Sequence, residues 1–228
     1  MAFMPQFAPF VALAFLAAIF AGMLASAVFA YGLVRRQPAV RLWAGLSLVA
    51  ILLGYATILF GASLTSHDEV LPRGGTKYFC EIDCHLAYSV ERVTRGNTLG
   101  IPPNEARASG AFYRISLKTW FDESTISQHR PREAPLYPNP RQVYILDSSG
   151  RRFLPSEEGQ RALEASGVKS TPLSRPLIPG ESYVTELCFD LPKDVRAPRL
   201  YVGDSDPMSA LLIGHEESPL HRKIWFRI

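Results

Sequence analysis

Cys80, Cys84 and His85 fall within six residues, CEIDCH, inside the stretch Lys77 to Val90 (KYFCEIDCHLAYSV). Thiolate and imidazole together suit copper or zinc. Two cysteines followed directly by a histidine also match the way thiols bond haem vinyl groups while the histidine takes the iron. The spacing here is one residue longer than the C-x-x-C-H attachment motif. Met208, His215 and His221 are the candidates for a second haem ligand or for further copper ligands. His215 and His221 flank Glu216 and Glu217 in GHEESPLHRK, with Asp204 and Asp206 upstream, yet the spacing fits no zinc pattern. No serine sits in a G-x-S-x-G context and no glycine loop of phosphate-binding type is present.

What positions these residues is a run of period two. Tyr78, Cys80, Ile82, Cys84, Leu86, Tyr88 and Val90 alternate with a mostly polar set that includes Glu81, Asp83 and His85, which predicts one straight strand from Lys77 to Val90. Both cysteines then share the apolar face and His85 points the other way. Four strand residues span about 13 Å, too far for a disulfide between Cys80 and Cys84. On this reading the cysteines are small core residues and a cofactor needs the strand to bend. Either cysteine could pair with Cys188. If Leu187 and Phe189 face the core, however, Cys188 faces outward, and the pairing stays open.

The charges of the 228-residue chain are unevenly spread. No acidic residue precedes Ser66, and only Arg35, Arg36 and Arg41 among the 24 basic residues do. The remainder balances 21 acidic residues with 21 basic ones, which gives no electrostatic footprint for nucleic acid. Residues 5–34 and 42–66 are each long and apolar enough to cross a bilayer core of about 30 Å as helices. The arginines between them place that link in the cytoplasm by the positive-inside rule. Both termini and everything after the second helix then lie on the outer side of a bacterial inner membrane. Ala17, Ala18, Ala21, Gly22, Ala25 and Ser26 allow close approach of another helix. Val28-Phe29-Ala30 resembles a signal-peptidase site, but the arginines follow the apolar run instead of preceding it, so an uncleaved first helix is expected.

Residues 67–76, with Pro72, Gly74 and Gly75, read as a short hinge, and 77–228 as one extracytoplasmic domain. Ala111 to Phe121 alternates strongly. Asp122 to Pro140 is a long, charged, proline-rich loop whose Asp122, His129, Arg130, Arg132 and Tyr137 are the candidate interaction residues. Gln142–Asp147 and Arg151–Leu154 read as a hairpin about Gly150. Ser156 caps a short helix to Ser166, and Tyr183–Leu191, Arg199–Val202 and Arg222–Ile228 complete the strands. The fold class is a two-helix membrane hairpin followed by an all-β, immunoglobulin-like sandwich.

Between Gln142 and Val202, the segments VYILDSSGRRF, LIPGESYVTELCFDLPKD and PRLYV resemble the immunoglobulin-like, telokin-like domains of unknown function found in bacterial membrane-attached and exported proteins. The resemblance implies a binding or accessory module, with Gly150 and Gly180 as turn formers and Phe189 as a core anchor, and it carries over no catalytic residue. Two helices before an outer β-domain also resemble subunit II of haem-copper oxidases in layout. Tyr88 and Glu91 stand where that family's copper loop needs histidine and methionine. The expectation is a non-catalytic accessory or scaffolding subunit of a membrane complex. Its partners are the lipid bilayer and other subunits, met through the hairpin and the 122–140 loop. A copper or c-type haem redox protein built on Cys80, Cys84 and His85 is the alternative.

Overall fold

The computed structural model describes residues 8–79, 85–126 and 129–228. Two compact units are present, one of residues 68–206 and 224–228 and one of residues 5–67 with 207–223.

The helical unit is built from α1 (Ala8–Val34) and α2 (Pro38–Leu64). Both are apolar around their whole circumference and leave Phe20, Leu52 and Leu53 more than 60% exposed. Pro38 opens α2, where its missing N–H costs nothing. The link is therefore shorter than the sequence suggests, and Arg41 lies in the first turn of α2. At Gly32 a side chain would press on the Arg41 backbone, so glycine lets the two helix ends meet. Hydroxyls inside the helices satisfy themselves: Ser26, Thr57 and Ser63 each donate to the carbonyl four residues back. The segment Pro207–Lys223, which carries GHEESPLHRK, is part of this unit. It holds a short 3-10 helix, Pro207–Leu211, whose Leu211 carbonyl accepts the Tyr55 hydroxyl at 2.7 Å. Ser66 Oγ likewise accepts the Arg222 N–H at 2.8 Å.

The other unit is a sandwich of two sheets. One has strand order β1 (Glu69–Leu71), β9 (Ile224–Arg227), β8 (Arg199–Asp204), β5 (Arg141–Leu146) and β6 (Arg152–Phe153). The other runs β2 (Thr76–Phe79), β3 (Leu86–Leu99), β4 (Ala106–Phe121) and β7 (Ser182–Leu191). Leu86, Tyr88, Ile115, Leu117, Phe121, Phe189, Leu200, Val202 and Phe226 meet between the sheets with essentially no exposure. A helix α3 (Glu157–Ala165) covers the outward side of the second sheet. Ser156 caps it by accepting the Gly159 N–H at 3.1 Å, as the sequence predicts. The Asp147 carboxylate closes the β5–β6 turn by accepting the Ser149 and Arg151 N–H groups, and Gly150 takes the positive φ of 83° that the turn requires.

Two expectations are corrected here. Lys77 to Val90 is not one strand: β2 and β3 are antiparallel neighbours, with Phe79 opposite Leu86, so the chain reverses between them. Lys77 and Phe79 are buried and Tyr78 is outward, the opposite of the predicted faces. Within residues 67–76, read as a hinge, Glu69–Leu71 pairs in parallel with β9 and β2 begins at Thr76. Cys188 does point away from the main core beside Leu187 and Phe189, yet it is fully buried. It sits under α3 among Ala106, Phe112, Ala162 and Leu163 as a free thiol.

Candidate functional site

The strand ends next to the β2–β3 reversal bring together His85 and Asp122, two of the polar residues singled out from the sequence. His85 stands at the head of β3, 3% exposed, with its ring stacked on Phe121 at 5.5 Å. Phe121 ends β4 beside Leu86. The following residues turn immediately: Asp122 caps a 3-10 turn (Glu123–Thr125) by accepting the Ser124 N–H, and its own N–H donates to the His85 carbonyl at 2.9 Å. Thr125 Oγ1 donates its single proton to the Asp122 carbonyl, so at the 2.5 Å contact it accepts from His85 Nδ1. The hydrogen bonding therefore assigns the proton to Nδ1, and in the neutral ring Nε2 carries the lone pair.

On the outward face Tyr78 donates to Asp122 Oδ2 at 2.7 Å and packs its edge against Trp120, 6.4 Å between centroids. Burial, reinforced by the bond to Asp122 and its charge, pushes the Tyr78 hydroxyl up to about 12. Burial on its own would raise Asp122. The hydrogen bonds from Ser124 and Tyr78 and the nearby His85 outweigh it and hold the carboxyl below its ordinary value. Tyr78 is thus a fixed donor and Asp122 a fixed acceptor. Next to this pair is an open groove of about 390 Å³, lined by Gly74, Ser89, Glu91, Lys118, Trp120, Gly180 and Ser182. Lys118 and Glu91 oppose each other across 3.7 Å, which leaves the groove close to neutral. Its chemistry is that of a polar surface with one aromatic platform, suited to holding a ligand or a partner loop.

Behind this face lies a buried polar network. Lys77 reaches across from β2 to the other sheet. The β8–β9 ladder ends after Leu200 and Phe226, and beyond it Lys77 Nζ donates to the carbonyls of Val202 and Ile224 at 2.6 and 3.4 Å. The ammonium also faces the rings of Phe79 and Tyr201 at 4.9 and 4.6 Å. Arg141 lies over Phe79 at 4.1 Å, donates to the Tyr88 hydroxyl and faces Asp204 at 3.6 Å, with 1% and 8% side-chain exposure for the ion pair. Lys77 and Arg141 were not singled out from the sequence, whereas Tyr88 was placed on the apolar face of the predicted strand and is buried. Lys77 carried a signal all the same, since it shares the parity of Phe79 on the strand face that proves to be buried.

The other predicted residues are dispersed. Of the interaction loop, Arg130 stacks on Phe121 at 5.2 Å beside His85, Arg132 makes an exposed contact with Glu123 at 3.7 Å, and His129 is exposed. Tyr137 is 69% exposed, but its neighbour Leu136 is buried and exchanges two backbone hydrogen bonds with Leu177, so the loop is anchored at that point. Met208, His215 and His221 belong to the helical unit and His85 to the sandwich. His215 Nδ1 accepts the Glu217 N–H, and His221 Nδ1 contacts the Arg222 carbonyl. Cys80 and Cys84 lie outside the described residues. Among the described residues no three His, Cys, Asp or Glu side chains converge as metal ligands. Cys188 is no substitute, because burial, aided by Asp190, pushes its thiol up to about 12.

No known protein family matches the sequence. No curated protein matches it either. Among solved structures, the chain is similar to a conserved hypothetical protein from Bacillus anthracis, with TM-score 0.40, 14% identity and coverage of 55% of this chain and 84% of that one. It is similar to the yjhA protein from Bacillus subtilis, with TM-score 0.40, 13% identity and coverage of 69% and 98%. MPT63, a secreted protein from Mycobacterium tuberculosis, aligns with TM-score 0.42, 9% identity and coverage of 72% and 100%.

Proposed function

We propose that this chain is a membrane-anchored accessory subunit: α1 and α2 span the bacterial inner membrane and hold an immunoglobulin-like, telokin-like sandwich on the extracytoplasmic side, where it binds other subunits without doing chemistry. The observation that carries the proposal is the surface of the helical unit, where Phe20, Leu52 and Leu53 stand exposed along helices whose Ser26, Thr57 and Ser63 hydroxyls are turned back onto their own backbone. Such a surface suits lipid and is costly in water. Arg35, Arg36 and Arg41 at one end set the orientation. Partner contact is assigned to the helix surface and to the 122–140 loop, where Asp122, His129, Arg130, Arg132 and Tyr137 stand. Photo-crosslinking from Tyr137 in intact cells tests this. A discrete, reproducible adduct with another membrane protein is expected. A chain that stays monomeric in mild detergent and yields no adduct contradicts it.

A second reading has one observation in its favour. Because β2 and β3 reverse between Phe79 and Leu86, the CEIDCH segment connects neighbouring strands, and the straight-strand argument against a copper or c-type haem site no longer applies. His85, with its proton on Nδ1, has the tautomer in which Nε2 would be the ligating atom. An absorption spectrum and metal analysis of the purified chain decide it. A haem band, or one copper per chain lost on Cys84→Ser, replaces the scaffolding proposal with this one.

A further inference from the structure

We infer that the segment Pro207–Leu220, inserted between β8 and β9, is seated in the outer leaflet of the bilayer alongside α2, as a second membrane contact separate from the two helices; this rests on the membrane reading of the hairpin. The Tyr55–Leu211 hydrogen bond fixes the depth. Tyr55 lies nine residues before Leu64, the end of α2, which at 1.5 Å per residue is roughly 14 Å back along the helix. If the bilayer core begins near Leu42, just past the arginines, about 20 residues bring its outer boundary close to residue 62. The Tyr55 backbone then lies roughly 10 Å inside that boundary, within reach of the depth at which interfacial segments bury their apolar sides.

The segment is composed for that position. Met208, Leu211 and Leu220 expose 50%, 45% and 66% of their surface, as apolar side chains facing lipid would. Backbone groups, which lipid cannot satisfy, are internally bonded in successive turns: Leu212 N–H to Ser209, His215 to Leu212, Ser218 to His215 and His221 to Ser218. The Ser218 hydroxyl donates to the Leu212 carbonyl and is buried. Charge is kept to Glu216, Glu217, Arg222 and Lys223, where Lys223 pairs with Glu217 at 3.0 Å. This suits the headgroup level, and the Arg222 N–H is held there by Ser66, just past the end of α2.

The test places an environment-sensitive fluorescent amino acid at Leu211, Leu52 or Tyr137 of the full chain, reconstituted in phosphatidylcholine–phosphatidylglycerol vesicles. Nitroxide-labelled lipids act as the membrane quencher and iodide as the aqueous one. At Leu211 the expected result is a blue-shifted emission quenched several-fold more by a shallow nitroxide than the Tyr137 probe is, with little effect of iodide. A Leu211 probe that behaves like Tyr137 while Leu52 is strongly lipid-quenched overturns the inference and leaves the hairpin standing. Protection from both quenchers at Leu211 also overturns it, since protein then covers the segment. Absence of lipid quenching at Leu52 removes the membrane reading itself, and the inference with it.

Discussion

The helical unit and the sandwich are built by opposite rules. In the helices, large apolar side chains such as Phe20 and Leu52 point outward, and the Ser26, Thr57 and Ser63 hydroxyls fold back on the backbone. The sandwich encloses Ile115, Leu117 and Phe226 completely, and its interior even accepts Lys77 and Arg141, each compensated by carbonyls, a carboxylate or aromatic faces. The difference is the one expected of a chain written for two solvents, as the proposed membrane anchor requires. In lipid the inside and outside of a helix pair are equally apolar, so packing relies on small residues such as Gly32. In water the inside must earn its stability by burial, and a polar group can enter only with its partners.

Mutations that act on one rule and not the other sharpen the contrast. The largest effect is expected from Arg141→Ala, which removes the charge facing the buried Asp204 carboxylate and a donor to the Tyr88 hydroxyl and costs about 3–5 kcal/mol in urea unfolding of the detergent-solubilised chain. Unchanged stability would mean that water reaches this network. Next, Leu117→Ala should lower sandwich stability by about 2–5 kcal/mol, whereas Leu52→Ala leaves the sandwich transition where it was. A loss at Leu52 equal to that at Leu117 would erase the distinction between the two regions.

Smaller effects concern the polar edge. Asp122 has a folded value below its ordinary 3.8, so its contribution is present above that pH and disappears as pH falls through the folded value. For Tyr78 the sign reverses: raised from 10.0 to about 12, it contributes fully below pH 10 and loses that contribution as pH rises toward 12. Melting temperature against pH should therefore lose part of its acid limb in Asp122→Asn and part of its alkaline limb in Tyr78→Phe. Tyr183 and Cys188, raised in the same direction, contribute to the same limb. Because Asp122 raises Tyr78 and Tyr78 lowers Asp122, each variant also weakens the other limb in part, and an acid limb untouched by Asp122→Asn would sink the assignment. The smallest change is Ser156→Ala, about 1 kcal/mol for loss of the α3 cap.

What could be read from the sequence was local. The alternation of Ala111–Phe121, the Ser156 cap, the turn at Gly150 and the two apolar helices each depend on residues a few positions apart, and each appears in the structure. Lys77–Val90 alternates just as cleanly as Ala111–Phe121, yet only the latter is one strand. Between Phe79 and Leu86 there is no glycine, proline or asparagine to mark the reversal. Lys77 and Phe79, both buried, lie on the face that the straight strand makes polar. His85 and Asp122 were noticed separately, one as a ligand and one as a loop residue. Only the pairing of Leu86 with Phe121 makes them neighbours. The bond from Tyr55 to Leu211 joins residues 156 apart, a distance over which periodicity carries no information.

The central claim is that the hairpin anchors the sandwich outside the cytoplasm. Alkaline phosphatase fused after Gln37 and, separately, after Ile228 tests this directly, because the enzyme is active only where exported. Activity after Ile228 and none after Gln37 is the predicted pattern. Activity after Gln37 with none after Ile228 would contradict it.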